Sequence, residues 1–464
     1  MRLCLAVLVA LSIATATFAQ MGPEMGMGMG MGMGMGAMVP PAMLDIGPVW
    51  SPSGDSVVFT RLTGQFQSNN WTAANLSGGM GGMGMGPEMG MGMGMGMPGM
   101  GYGGADLSNE GLMSAQAAGG GEGDRLIEGR VLVQDAAGDT IVVIYQGSGM
   151  REAGAWGISG VSFGSSAAVR WVSVSSQWMP AWVSISPNGD MIGVPWERNG
   201  KFVVFFPTQA DVQAPAGNCP VGDLKRPAGW AADGSGVFVL EATQTPGMGM
   251  GMGMGMGPEM GMGMGMGPGM GPEMGMGMGM GMGMGGMGSN LVLGKPDGSL
   301  TKVIEGVGNE SFAVGVPGTS DLAAWLNPAS GAPGTSVTSW PGAQLGVYLY
   351  ALDGTQKAKL TSQKVLEMKP SPDGKYVAFV WGKQAPYSLA AAPVDGGAVK
   401  RLAFDLVGPV SGVPCFSWSP DSQKIAYGAY SDDEPNGVFA VDVATGARTR
   451  LSSAPELQTN RPGR

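Results

Sequence analysis

The chain has 464 residues, with 25 Lys and Arg against 35 Asp and Glu, no His and a net charge of −10. An acidic chain without a clustered basic stripe cannot neutralise phosphates, which excludes a nucleic-acid partner and disfavours anionic membrane surfaces. The lack of imidazole excludes Ser-His-Asp and Cys-His catalysis, imidazole metal sites and the commonest general base near neutral pH.

The first 19 residues have the layout of a secretory signal peptide. Met1 and Arg2 form a basic start, Leu3 to Ile13 an apolar run, and Ala14 to Ala19 a small-residue end with cleavage expected after Ala19. No other segment has the roughly 18 consecutive apolar residues of a transmembrane helix. The mature chain is therefore expected to be soluble, not membrane-spanning, and periplasmic or secreted. Cys4 leaves with the signal, so Cys219 and Cys415 remain. An oxidising compartment permits a disulfide between them, and two separate buried thiols fit the sequence as well.

Three tracts, 20–38, 78–104 and 247–288, repeat the unit Gly-Pro-Glu-Met-Gly-Met-Gly-Met and hold most of the 41 Met. Glycine loses much backbone entropy on ordering and Met alone specifies little packing, so the tracts are read as disordered or loosely collapsed insertions. In an extended chain, alternate residues place successive thioethers roughly 7 Å apart on one side. Soft thioethers select Cu(I) over harder cations. Met89, Met91, Met93, Met260, Met262 and Met264 are the candidate ligands, Cu(I) the one cofactor considered. The alternatives are expansion of a short repeat in loops that cost little to lengthen, and a pool of oxidisable Met.

Outside the tracts the chain repeats itself. Val49-Trp50-Ser51-Pro52-Ser53-Gly54 opens the series, with weaker copies at Ser186-Pro187-Asn188-Gly189, Ala231-Ala232-Asp233-Gly234 and Val316-Pro317-Gly318. The clearest copies run from Met368 to Phe379, through Ser371-Pro372-Asp373-Gly374, and from Phe416 to Tyr427, through Ser419-Pro420-Asp421-Ser422. Each reads as a hairpin: Pro presets φ, Asp or Asn with Gly supplies the left-handed geometry, and an apolar strand returns. A second hairpin follows, as at Val347–Leu352 with Gln356–Leu360, and at Val438–Val443 with Ala447–Leu451. Two hairpins make a four-stranded blade, and the period is near the roughly 40 to 50 residues expected of one. Trp50, Trp182, Trp230 and Trp418 fall on first strands, where they are expected to pack between blades.

The motif Trp-Ser-Pro-Asp-Gly-Lys-x-Ile-Ala-Phe, with a later Arg-Leu ending such as Arg401-Leu402 or Arg450-Leu451, resembles the WD40-like repeat of the TolB-type propellers. The resemblance implies an all-β chain: a β-propeller over 47–453 with disordered Met/Gly-rich inserts at 78–104 and 247–288, preceded by a tail at 20–46 and followed by one at 454–464. Six turn anchors imply six blades, and length alternatively admits seven. The stretch Trp156 to Ser176 is either an extra blade or a long loop. The second tract is expected between the strands Val57–Arg61 and Arg130–Gln134, the third between Gly236–Glu241 and Asn290–Leu293. Both are then second-to-third loops leaving one face. Asp432, Asp433 and Glu434 lie in such a loop of the last repeat, as a calcium or cationic-partner site or simply a solvated acidic loop.

The resemblance implies a protein-binding or scaffold module of the cell envelope with a protein partner, and the lack of His and of any marked acid pair favours binding over enzymatic activity. The alternatives are Cu(I) binding through the tracts and a propeller enzyme that uses carboxylates in its central channel.

Overall fold

The computed structural model describes residues 42–64, 108–146, 156–174, 183–196, 201–206, 217–219, 225–242, 289–308, 310–327, 345–382, 387–407, 413–429 and 436–454. All of them belong to the unit Val39–Arg464. They form antiparallel strands that follow one another in meanders of four. The first is β1 (Ala42–Trp50), β2 (Ser56–Gly64), β3 (Ser108–Gln116) and β4 (Asp124–Ile127); the second is β5 (Arg130–Ala137), β6 (Thr140–Gln146), β7 (Trp156–Ser162) and β8 (Ala168–Val174). Then come β9 (Ser184–Ile185), β10 (Ile192–Trp196), β11 (Lys201–Phe205) and β12 (Gly217–Cys219), followed by β13 (Lys225–Trp230), β14 (Val237–Ala242), β15 (Ser289–Gly294) and β16 (Leu300–Val307). The fifth is β17 (Phe312–Gly315), β18 (Asp321–Leu326), β19 (Gly346–Ala351) and β20 (Gln356–Thr361). The sixth is β21 (Val365–Pro370), β22 (Tyr376–Trp381), β23 (Tyr387–Pro393) and β24 (Lys400–Leu406), and the seventh β25 (Phe416–Trp418), β26 (Lys424–Ala429), β27 (Gly437–Asp442) and β28 (Arg448–Arg450). The last two share one eight-stranded sheet, joined by the single pair Leu406 and Ala429.

The six turn anchors undercount these four-strand units by one. The unit β5–β8 turns from its first strand to its second at Gly138 and Asp139 without Pro, Gly138 supplying a φ of +53°. The stretch left open between blade and loop supplies its third and fourth strands. This also corrects the strand expected after the second tract: the third strand of the first unit is β3, and Arg130–Gln134 opens the second unit as β5. The first strand starts at Ala42, inside the segment read as tail.

Burial explains the strand composition. Second strands are covered on both faces, so Val377, Ala378, Phe379 and Val380 of β22 are all 0% exposed. Fourth strands lie at the outer end of their meanders, and β20 leaves Gln356, Lys357 and Lys359 exposed while burying Leu360 and Thr361. Apolar clusters fill every junction between consecutive units, including the one between last and first, where Trp50, Val57 and Phe59 meet Ala426, Val438 and Ala440. Trp50, Trp230 and Trp418 each lie in such a junction, and the Trp418 Nε1–H donates to Lys369 O at 3.0 Å. Trp182 lies outside the described residues.

The first-to-second turns interlock around the ring. A Cβ on Gly315 would stand 2.0 Å from Ala232 N, and one on Gly374 2.1 Å from Pro317 O. In the seventh unit Ser422 replaces the turn glycine at a φ of +62°, and its hydroxyl accepts the Asp373 N–H at 3.0 Å, linking the sixth turn to the seventh. Pro420 in turn lies against Gly54 of the first unit. Radial four-stranded meanders closed into a ring by their own junctions form a β-propeller.

Candidate functional site

Strand direction defines two rims. Second strands run the same way in every unit, so first-to-second and third-to-fourth turns lie on one rim and second-to-third loops on the other. The candidate residues Met89, Met91, Met93, Met260, Met262, Met264, Asp432, Asp433 and Glu434 all lie outside the described residues. Their stems do not. The second tract joins the end of β2 to the start of β3, the third the end of β14 to the start of β15, and the acidic segment the end of β26 to the start of β27. All three pairs of stems belong to the loop rim. The first strand enters from that rim too, since Ala42 pairs with Gly64.

Between first and last units the structure holds an ion pair that sequence reasoning missed. Asp45 and Arg61 face each other across β1 and β2, with Nε to Oδ1 at 2.7 Å and Nη2 to Oδ2 at 2.8 Å. Their side chains are 0% and 4% exposed. Ser452, from beyond β28, donates its hydroxyl to Asp45 Oδ2 at 2.7 Å. Burial pushes the Asp45 carboxyl up, against the pull of Arg61 and Ser452. The signal was an Asp inside Leu44-Asp45-Ile46 and an Arg inside Thr60-Arg61-Leu62, each charge set in an apolar strand.

A second polar group lies on the inner strand of the sixth unit. Glu367 accepts the Cys415 N–H at 2.7 Å, and Lys369 Nζ stands 3.6 Å from its other oxygen. Cys415 is a free, buried thiol. Burial, then the Glu367 charge, push that thiol well up, so it stays protonated and is a poor nucleophile. The cleft beside it, between Ile46, Val407, Val413 and Pro414, has about 10 Å³ of room, roughly what one water needs. Among the described residues no group of three or more His, Cys, Asp or Glu is placed to hold a metal ion. No helix among them is long and apolar enough to cross a membrane.

The turn rim carries carboxylates with a structural task. Asp421 Oδ1 accepts from Ser419 Oγ at 2.6 Å and from the Gln423 N–H at 3.0 Å. These bonds, the Ser419 hydroxyl first, hold its carboxyl below the usual range; backbone amides do the same for Asp353 and Asp442. A lowered folded value contributes stability that is present above the ordinary 3.8 and is lost as pH falls through the folded value. Acid unfolding followed by tryptophan fluorescence should therefore begin below about pH 4. Asp421→Asn keeps an acceptor oxygen without the titration, so it should flatten that limb; an unchanged acid limb would count against the assignment.

No protein-family model matches the sequence, and no curated protein matches it. Among solved structures, the β-propeller domain of the Trilobed protease from Pyrococcus furiosus superposes with a TM-score of 0.51 at 10% identity, over 89% of this chain and 99% of that one. An acylaminoacyl peptidase in complex with Z-Gly-Gly-Phe-chloromethyl ketone gives a TM-score of 0.50 at 11% identity, over 89% of this chain and 53% of that one. TolB from Acinetobacter baumannii gives 0.38 at 13% identity, over 64% and 60% of the two chains. At such identities these likenesses speak to architecture, and what the first shows for this chain is the fold of a β-propeller.

Proposed function

We propose that this chain is an exported binding module, a TolB-type propeller of seven blades whose loop rim holds a protein partner outside the cytoplasm, without catalysis of its own. The observation that carries this reading is the common origin of the tract stems and the acidic-loop stems on one rim. A rigid ring that gathers its longest loops on one side suits recognition better than chemistry. The blade count rests on the seven consecutive four-strand meanders. The absence of His from the sequence and the protonated state of the Cys415 thiol support a non-enzymatic role.

The test uses the mature protein and a variant lacking 78–104 and 247–288 as baits in the native envelope fraction. The intact bait should retain one stoichiometric protein that the shortened bait loses. Equal retention by both would remove the tracts from the reading. Turnover of an ester, peptide or glycoside that disappears in Glu367→Gln would replace it with the enzyme reading.

Stems on one rim also favour a second reading, in which thioethers from Met89, Met91, Met93, Met260, Met262 and Met264 converge on Cu(I). Competition titration of the same two proteins decides it: several ions bound by the intact chain alone support copper binding, and equal uptake rules it out.

A further inference from the structure

Six of the junctions between consecutive units are crossed by the chain itself. The junction between last and first is not, and among the described residues no strand is exchanged there: β1–β4 and β25–β28 each run consecutively within their own unit. Among those residues, closure at this seam rests on non-covalent contacts.

The segment 451–454 is bonded on both of its sides. Towards the last unit, the Leu451 N–H donates to Val438 O at 2.9 Å, the Val438 N–H to Ser452 Oγ at 2.9 Å, and the Ala454 N–H to Asn436 O at 2.7 Å. Towards the first unit, Ser452 Oγ donates to Asp45 Oδ2 at 2.7 Å, the Ser453 N–H to Gly121 O at 3.0 Å, and Arg61 Nη2 to Ser453 O at 3.4 Å. Ser452 is 0% and Leu451 1% exposed, and Leu451 belongs to the apolar cluster shared by the two units. Around it the backbones touch: a Cβ on Gly119 would stand 2.4 Å from Arg450 O, and one on Gly428 2.3 Å from Asp45 O. The contact therefore has no slack.

We propose that residues 451–454 are a latch that closes the ring, and that undocking them opens the propeller along the seam between first and last units while the other junctions stay shut. The outer strand of the last unit does in this way, by a short continuation past its own sheet, what an exchanged strand would otherwise do. A local opening of this kind is a sub-global event, governed by the few bonds that cross the seam rather than by the whole fold.

Adjacent prolines separate the latch from general loosening. Ser453→Pro removes the N–H that crosses to Gly121, whereas Ala454→Pro removes one that stays within the last unit. Two buried thiols report in a Cys219→Ser background: native Cys415, which packs in the cluster between sixth and seventh units and lines the cleft with Ile46 and Gly47 of the first, and Ala323→Cys, in the junction between fifth and sixth units. Labelling by a thiol reagent should speed up about fivefold or more at Cys415 in Ser453→Pro, the loss of one buried hydrogen bond. The rate at Ala323→Cys should not move, and Ala454→Pro should change Cys415 less. An equal rise at both reporters, or none at Cys415, would overturn the latch. Should Ser453→Pro fail to fold, Ser452→Ala removes the hydroxyl given to Asp45 and is read with the same two thiols and the same outcomes.

Discussion

Arg61→Met should destabilise the protein by about 3–5 kcal/mol at pH 7, because it leaves a carboxylate buried without its partner. Asp45 has no water to turn to: its side chain is 0% exposed, and among the described residues Ser452 supplies the remaining side-chain bond. The double change Asp45→Leu with Arg61→Met should recover most of the loss, since a buried pair replaced by apolar groups is often neutral. The pH dependence carries the sign. Burial already pushes Asp45 up, and removing Arg61 removes a pull downward. A raised folded value contributes stability that is full below the unfolded value of 3.8 and is lost as pH rises through the folded one. The gap between wild type and Arg61→Met should therefore narrow as pH falls from 7 towards about 4. Urea unfolding of the three proteins at both pH values checks this; a gap that is constant with pH would mean that Asp45 does not carry the cost.

Gly374→Ala should be far more damaging than Gly446→Ala, although both glycines turn with positive φ. Gly374 has a φ of +69° and a Cβ would stand 2.1 Å from Pro317 O, on the backbone of the neighbouring turn. Gly446 has a φ of +79° and nothing within 4 Å of that position. Handedness alone costs about 1–2 kcal/mol at either site. The overlap at Gly374 adds about 1–3 kcal/mol, because the turn of the fifth unit must back away. Thermal unfolding of the pair separates the terms. Equal losses would mean that the turns are not in contact, and would remove the interlock as a source of ring rigidity.

The turns and strands were legible because their causes are local. Pro, Asp and Gly at fixed offsets set backbone dihedrals whatever the rest of the chain does, so the hairpins at Ser371-Pro372-Asp373-Gly374 and Ser419-Pro420-Asp421-Ser422 fall where the residues put them. The unit β5–β8 escaped for the same reason in reverse. Its first turn needs Gly138 alone, and a lone glycine carries no pattern. The position of the second and third tracts between second and third strands followed from counting strands, even though the third strand of the first unit was misplaced.

Sequence by itself determined the all-β class, the four-strand repeat and the strands that flank the third tract, since each follows from residue periodicity within a few tens of residues. Tertiary structure alone decided how the ring closes. Asp45 meets Arg61 across 16 residues but Ser452 across 407, and Arg61 reaches Ser453 across 392. No local dihedral or periodicity encodes a contact at that separation; it exists only because seven similar units, stacked face to face, bring the last beside the first.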